Sequence, residues 1–261
     1  MTAASGTERR FYAWEVGIVL ALSLGRSGVY AVLQLAERLS IAPLADQTAT
    51  VQRSRSQAEF YDFTFQVLDS LFALAPVALV LYLVFLHGGN PFRRWGLDFR
   101  RPGADWALGA GLFTIIGLGT LGVYFAGRSL GLTAQIVPAD VTQYWWTSPM
   151  LLLAALRHSL LEEVIMIAYL FDRARRIWPQ LRSSAAAVAA LVLVTALLRG
   201  AYHLYQGFGP GIGNALMGVI FAAVYLKYGR VMPLVIAHFL LDAVAFLAFP
   251  LVLQTFGLNS L

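Results

Sequence analysis

Long apolar runs alternate with short polar segments along the whole chain. Each run approaches the roughly 20 residues that an α-helix needs to cross a hydrocarbon core, where lipid offers the backbone no hydrogen bonds. The pattern therefore predicts an all-α fold, a polytopic membrane helix bundle with about seven transmembrane helices. The predicted spans are 12–34, 61–86, 106–130, 149–172, 184–205, 211–228 and 231–256.

The composition agrees with this prediction. Of the 261 residues, 59% are hydrophobic and 13% are charged, and the mean hydropathy is +0.68. Such a chain is more apolar than a soluble domain can bury. The segments "LSIAPLADQTATVQRSRSQAEF" and "HGGNPFRRWGLDFRRPGAD" are predicted loops, the first exposed and with a short surface helix at most. Neither is long enough for a second domain, so residues 1–261 are predicted to form a single integral membrane domain.

Basic residues near the span ends predict the orientation of the chain, because Lys and Arg beside membrane helices are retained on the cytoplasmic side. Twelve lie at the N-terminus and after spans two, four and six: Arg9, Arg10, Arg93, Arg94, Arg100, Arg101, Arg173, Arg175, Arg176, Arg182, Lys227 and Arg230. Four lie on the other side: Arg38, Arg53, Arg55 and Arg128. We therefore expect a multi-pass protein of the cell membrane with its N-terminus cytoplasmic and its C-terminus outside. The short basic clusters favour the lipid bilayer, and not nucleic acid, as a partner.

Ionisable side chains inside the predicted spans are few and concentrated. Each costs about 2.5–3.5 kcal/mol at membrane depth, so such residues usually face a partner or a water-filled cavity. Eight of the eleven fall in the second half of the chain: Arg157, His158, Glu162, Glu163, Arg199, His203, His238 and Asp242. The other three are Glu15, Arg26 and Asp69.

The spacing of these residues places them on three helix faces. Residues four apart share one face, and three such pairs are present: His158 with Glu162, Arg199 with His203, and His238 with Asp242. If the three faces meet, they form a polar chamber among the helices of spans four, five and seven. A single pair of this kind also has a purely structural explanation, because buried His and Asp side chains often only satisfy each other.

A chamber of this composition can support hydrolysis by water. A carboxylate beside an imidazole can take a proton from water, and a second imidazole can stabilise the oxyanion formed on an amide. A covalent nucleophile is not expected, because Ser159 and its neighbours lack a recognisable His–Asp arrangement and the chain has no Cys. The alternative is a transporter or scaffold with a buried proton- or ion-binding cluster, although no inverted repeat of the transporter kind is found.

The segments "EEVIMIAYL", "RGAYHLYQG" and "AHFLLD" resemble the EExxxR, FxxxH and HxxxN/D motifs of the CPBP intramembrane proteases. This is the CAAX protease and bacteriocin-processing family, also called the Abi or type II CAAX endopeptidase family. The resemblance covers residues 150–245 and implies an intramembrane endopeptidase with its catalytic core there. It implies these roles: catalytic base for Glu162, water activation for His203, oxyanion stabilisation for His238 and Asp242, and support for Glu163.

Two positions depart from the family pattern. Ile167 stands where the family has the Arg of EExxxR, and Arg199 stands where it has the Phe of FxxxH. One interpretation is that the cation has moved, so that Arg199 or Arg157 neutralises Glu163. The alternative is a degenerate member of the family that keeps the fold and has lost catalysis.

The resemblance implies a mechanism without a metal ion, and no cofactor is expected. The alternative is a zinc-dependent metalloprotease, for which four ligands are available: His158, Glu162, His203 and His238. The expected substrate is a peptide or a membrane protein, in a bacterial inner membrane. Helix ends drawn from the sequence place Glu162 and His203 at different depths, so span five must begin later or tilt if they share one water molecule.

Overall fold

The computed structural model describes residues 5–248, so the last part of the predicted span 231–256 lies outside the described residues. Its α-helices are α1 (Gly6–Leu22), α2 (Leu24–Ile41), α3 (Glu59–Ala73), α4 (Ala75–Leu86), α5 (Pro91–Trp95), α6 (Pro102–Ser129), α7 (Thr147–Glu162), α8 (Leu170–Ile177), α9 (Ala185–Ala201), α10 (Phe208–Tyr228) and α11 (Met232–Leu247). A π-helix, Glu163–Tyr169, joins α7 to α8. Short 3₁₀ helices cover Leu44–Asp46, Pro179–Arg182 and Leu204–Gln206, and the strands are β1 (Thr48–Arg53) and β2 (Gln135–Asp140).

The predicted helical membrane fold is confirmed. Within residues 5–248, three segments are long and apolar enough to cross a membrane: Glu59–Leu86, Pro102–Ser129 and Phe208–Tyr228. The bent pair α1–α2 adds a fourth, and α9 and α11 are shorter apolar helices. Residues 147–177 form one further continuous helical rod, which carries the charged motif. The predicted number of about seven spans is compatible with this set.

The first predicted span, 12–34, is two helices that meet at Ser23 with a bend of 50°. Two local features accommodate the bend. The Ser23 hydroxyl donates a hydrogen bond to the Val19 carbonyl at 2.6 Å. A Cβ at Gly25 would come within 2.7 Å of the Leu20 carbonyl oxygen, so the chain can turn here only because residue 25 has no side chain.

The predicted loop between the first two spans contains a strand, which the sequence prediction missed. β1 pairs in parallel with β2 from the connection before α7, with Thr48 opposite Gln135 and Arg53 opposite Asp140. Pro138 is compatible with β2 because this strand lies at an edge. The two-stranded sheet packs through Val51 and Ala139 against a small apolar cluster contributed by α7 and α11.

Glycines let the helices that carry the polar residues approach closely. A Cβ at Gly200 in α9 would lie 2.7 Å from the Gly211 carbonyl oxygen in α10. A Cβ at Gly109 in α6 would lie 2.7 Å from the Ile236 side chain in α11. Small residues allow such backbone contact between membrane helices. The C-terminal end of α9 and the middle of α11 are therefore held at fixed positions against their neighbours.

An ion-pair group fixes the start of α11. The Arg230 guanidinium donates hydrogen bonds to both carboxylate oxygens of Asp105 at 2.8 and 2.7 Å, and to Asp98 at 2.9 Å. The hydrogen bond from Arg230 lowers the pKa of Asp98, which lies in a loop outside the helices. The Val231 amide also donates to the Trp95 carbonyl at 2.8 Å. These contacts set the position from which α11 carries its polar residues into the bundle.

Candidate active site

Three helical segments bring their polar faces together inside the bundle. The rod of α7 and the π-helix contributes Glu162 and Glu163, which are adjacent at the point where α-helical geometry changes to π-helical geometry. α9 contributes Arg199, and α11 contributes His238 and Asp242. The convergence of spans four, five and seven is the arrangement that the spacing of these residues predicts. Irregular helical turns such as π-segments occur frequently at functional sites.

Arg199 is the centre of this cluster. Its Nη2 atom lies 2.8 Å from Glu163 Oε1 and 3.3 Å from Glu162 Oε2, and the residue is 1% exposed. The guanidinium also lies over the Phe221 ring, 5.3 Å from its centroid. α10 leaves room for it at Gly218, where a Cβ would come within 3.2 Å of Arg199 Cδ. The cation is therefore enclosed by two carboxylates, an aromatic face and a glycine.

Arg157, the other cation that could neutralise Glu163, lies elsewhere. Its Nη2 atom is 2.7 Å from His158 Nε2. The structure shows no ion pair between Arg157 and Glu163, both of which it describes. Of the two predicted candidates, Arg199 is the residue that contacts Glu163.

His238 and Asp242 connect the cluster to His158. His238 Nδ1 lies 2.7 Å from Glu163 Oε1, and its Nε2 lies 3.8 Å from Asp242 Oδ2. Asp242 is closer to His158, whose Nδ1 lies 3.0 Å from Asp242 Oδ2. His158 does not contact Glu162, one turn away on the same helix, because its ring is engaged by Asp242.

The end of α9 reaches the depth of Glu162, so the difference in depth between Glu162 and His203 that the predicted helix ends imply is not found in the structure. The Tyr202 hydroxyl donates a hydrogen bond to Glu162 Oε2 at 2.8 Å. His203 follows directly, with Nδ1 3.0 Å from the Arg199 carbonyl oxygen. Its ring lies against the Tyr202 ring, with centroids 4.7 Å apart, and it forms no hydrogen bond or ion pair with Glu162 or His238, which the structure also describes. Sequence reasoning missed Tyr202, since a neutral hydroxyl is absent from a search for ionisable groups.

Strand β1 supplies a further contact that sequence reasoning missed. Gln52 Nε2 lies 3.4 Å from His158 Nε2. The sheet thus borders the His158–Asp242 end of the cluster. A residue of the predicted loop reaches the site only because β1 pairs with β2, a strand far away in the sequence.

The two adjacent carboxylates differ in exposure. The Glu162 side chain is 10% exposed and the Glu163 side chain is 0% exposed, whereas Asp242 is 22% exposed. Among the described residues, Glu163 Oε2 and two Arg199 nitrogens are buried without a hydrogen-bond partner. The site therefore has a closed inner part around Glu163 and an outer part in which Glu162 keeps slight exposure and Asp242 is 22% exposed. An incoming molecule can reach only this outer part.

Residues 144–244 match the family model described as Type II CAAX prenyl endopeptidase Rce1-like. This segment is an Rce1-like domain. The family that the three motifs resemble is thereby confirmed for this segment, and that family implies a CAAX-type peptide hydrolase. Comparisons with curated proteins and with solved structures gave no match.

The Rce1-like domain contains α7 to α10 and most of α11, and therefore all the helices that carry the cluster. The two residues of this domain that depart from the family motifs lie in different surroundings. Ile167 is 1% exposed and lies in the apolar core of the bundle. Arg199, in the position of the family Phe, provides the positive charge beside the two carboxylates.

Proposed function

We propose that the chain is an intramembrane endopeptidase, a single membrane domain whose catalytic core is residues 150–245, and that Glu162 activates the attacking water. The observation that carries this proposal is the difference in exposure within the Glu pair, because Glu162 is partly accessible and Glu163 is enclosed. Tyr202 and Arg199 hold Glu162 through one of its oxygens, Oε2. Its other oxygen is then available as the proton acceptor.

The remaining residues fit supporting roles. His203 directly follows Tyr202, which bonds to Glu162, and we assign it to assist in activating water, while Glu163 orients Arg199 and His238 from the closed part of the site. His238 Nε2 faces the accessible Asp242, and it is the nitrogen that we assign to the developing oxyanion. His158 fixes Asp242 from the far side at 3.0 Å. The bond that breaks is the amide C–N bond, and the proton taken by Glu162 is returned to the leaving amine.

A metal-independent mechanism is part of the proposal. Within residues 5–248, the donors close enough to share an ion are those of Glu162, Glu163 and His238, which lie within 4.8 Å of one another. Arg199 Nη2 already lies between the two carboxylates, at 2.8 and 3.3 Å, and a metal ion there would be repelled by the guanidinium. His158 and His203, the other residues of the predicted zinc set, lie outside this group. The residues therefore fit zinc poorly.

The proposed substrate is a peptide or a segment of a membrane protein, delivered within the bilayer. The family description names a prenyl endopeptidase, so prenylated peptides are the first compounds to test. We further propose a cytoplasmic N-terminus, an external C-terminus and a bacterial inner membrane as the location. Arg38 and Arg128 donate hydrogen bonds to the Thr48 and Ala45 carbonyl oxygens, at and just before the start of β1, which supports the predicted common side for these two residues.

The test is peptide cleavage by the purified protein, with and without a C-terminal prenyl group. Glu162→Gln and His203→Ala should each reduce kcat/KM by about 10²–10⁴-fold. Asp69→Asn is the matched control, because Asp69 is an exposed carboxylate paired with Arg55 outside the site. Thermal unfolding in detergent should be nearly unchanged by Asp69→Asn.

Three outcomes distinguish the alternatives. Cleavage that survives Glu162→Gln contradicts the proposed base. A folded wild-type protein without cleavage of any peptide supports the degenerate or transport alternative, and ion flux in proteoliposomes then separates these two. Activity that a chelator abolishes and zinc restores contradicts the metal-independent mechanism.

A further inference from the structure

A second polar region lies where the ends of several helices meet, on the predicted cytoplasmic side of the membrane. It is a cavity of about 460 Å³. Its walls come from α5, α8, the turn Pro179–Arg182 and the C-terminal part of α10. The lining residues are Arg94, Trp95, Asp172, Arg175, Arg176, Leu181, Arg182 and Tyr225.

Positive charge exceeds negative charge in this cavity. Four Arg residues and one Asp line it. Asp172 forms ion pairs with Arg94 and, at 3.6 Å, with Arg176, and it also pairs with Arg173 behind the wall at 3.0 Å. The negative charge of the wall is therefore fully engaged.

Arg175 and Arg182 supply the excess. Both are exposed, and neither forms an ion pair with a carboxylate in the part of the chain that the structure describes. Their guanidinium groups are free to bind an anion that enters the cavity. A planar guanidinium can donate two parallel hydrogen bonds to a phosphate, which makes Arg the favoured side chain for this ligand.

The rest of the wall is formed by buried, mainly apolar side chains. Trp95 is 0% exposed, and Tyr225 and Leu181 are each 7% exposed. The cavity volume falls within the range of about 300–1,000 Å³ for small-molecule sites. The floor is thus a preformed apolar surface with guanidinium groups around it, which suits a phosphate attached to an organic group.

We infer that this cavity binds a phosphate group, supplied by the headgroup of an anionic phospholipid. Its position supports the lipid as the source, because α5 follows the span Glu59–Leu86 and Tyr225 lies near the end of the span Phe208–Tyr228. Trp178 and Tyr228 nearby are 49% and 50% exposed, as aromatic residues at a membrane interface are. Basic pockets between membrane helices on the cytoplasmic side commonly bind such headgroups. This inference is independent of the proposed peptidase activity.

The test compares binding of short-chain phosphatidylglycerol, short-chain phosphatidylcholine and inorganic phosphate to the full chain in detergent at constant ionic strength. Thermophoresis gives the Kd, and native mass spectrometry gives the number of lipids retained. Arg175→Gln with Arg182→Gln should weaken phosphatidylglycerol binding roughly 30-fold, since each basic residue contributes about a fivefold factor. Arg93→Gln with Arg101→Gln is the matched control, because it removes two exposed charges on the same side outside the cavity.

The outcomes separate the two sources of phosphate. Competition by inorganic phosphate only in large excess supports the lipid headgroup, and equal competition supports a soluble phosphate compound as the ligand. Equal weakening in the test and control variants overturns the inference, as does equal binding of the two lipids by the wild type. If the Gln variant unfolds, Arg175→Lys with Arg182→Lys replaces it, and unchanged binding there contradicts the bidentate contact.

Discussion

The candidate active site and the basic cavity are built from the same side chains in opposite proportions. In the candidate site, Arg199 faces the two carboxylates of Glu162 and Glu163 at 1% exposure. In the cavity, Asp172 faces Arg94 and Arg176, and further Arg residues stand at the rim. The first region has an excess of carboxylates in a largely buried space, and the second has an excess of cations around an open cavity.

The two proposals assign different purposes to one kind of ion pair. Where carboxylates are in excess, one of them remains free to accept a proton. Where guanidinium groups are in excess, the surplus can bind an anion. Both regions lie on the helical rod 147–177, which carries the Glu pair at its middle and Asp172 near its end. The predictions below change charges or contacts in these two regions and end with an ion pair that lies outside both.

Arg199→Phe should have the largest effect, because it removes the only cation that contacts both carboxylates among the described residues. Loss of one partner of a buried ion pair costs about 3–5 kcal/mol of unfolding free energy. Adding Ile167→Arg restores the family pattern at both positions, and we expect it to recover part of the stability and cleavage activity. Thermal unfolding and peptide cleavage are the measurements.

Ile167→Arg alone is the control for that pair. It buries a second cation in an apolar core and should be destabilising by itself. A double variant that is no better than Arg199→Phe would show that Arg199 does not replace the family Arg.

Tyr202→Phe should have the next largest effect, on rate more than on fold. It removes a hydrogen bond to a charged group, which is worth about 1.5–3 kcal/mol. We expect kcat to fall by roughly 10- to 100-fold with KM little changed. Tyr205→Phe is the control, since that hydroxyl bonds to Gln206 and not to the Glu pair. Similar losses in the two variants would mean that the bond to Glu162 has no special role.

Asp172→Asn should shift the cavity further towards positive charge. The three Arg residues paired with Asp172 lose their common partner, so phosphatidylglycerol affinity should rise about fivefold for the single charge removed. The thermophoresis assay measures this change, and the variant should also be less stable. A fall in affinity in a folded variant would indicate that Asp172 organises the binding site and does not oppose it.

Arg55→Gln should have the smallest effect. The ion pair between Arg55 and Asp69 has side chains that are 56% and 44% exposed. Exposed pairs contribute about 0–1 kcal/mol. Thermal unfolding should show a shift close to the measurement error, and a large shift would mean that this pair supports the nearby Arg157 more strongly than its exposure suggests.

The features that depend on helical periodicity could be predicted from the sequence. The membrane helices and the protease family are confirmed, and the spacing of four residues placed His158, Arg199 and His238 on faces that do meet. These features follow from one-dimensional patterns, since side chains that are four apart on a helix share a direction whatever the tertiary structure. The catalytic roles of these residues remain proposals.

Contacts that depend on long-range pairing could not be predicted. Gln52 reaches His158 only because β1 pairs with β2, and the sequence of each strand alone reads as a polar connection. The bond from Tyr202 to Glu162 requires α9 to end at the depth of the Glu pair, which depends on helix packing. The preference of Asp242 for His158 over His238 likewise reflects the distance between two helices.

In the π-helix Glu163–Tyr169, the number of residues affects the geometry of the rod as well as their side chains do. A π-turn contains one more residue than an α-turn. Because the π-turn absorbs this extra residue, deleting one residue would give a regular α-helix and leave the direction of the residues beyond it nearly unchanged. Asp172 and Arg173 would still face Arg94 and Glu15, their present partners. The deletion would therefore act on the side chains inside the segment, next to the Glu pair, and spare the basic cavity at the far end of the rod.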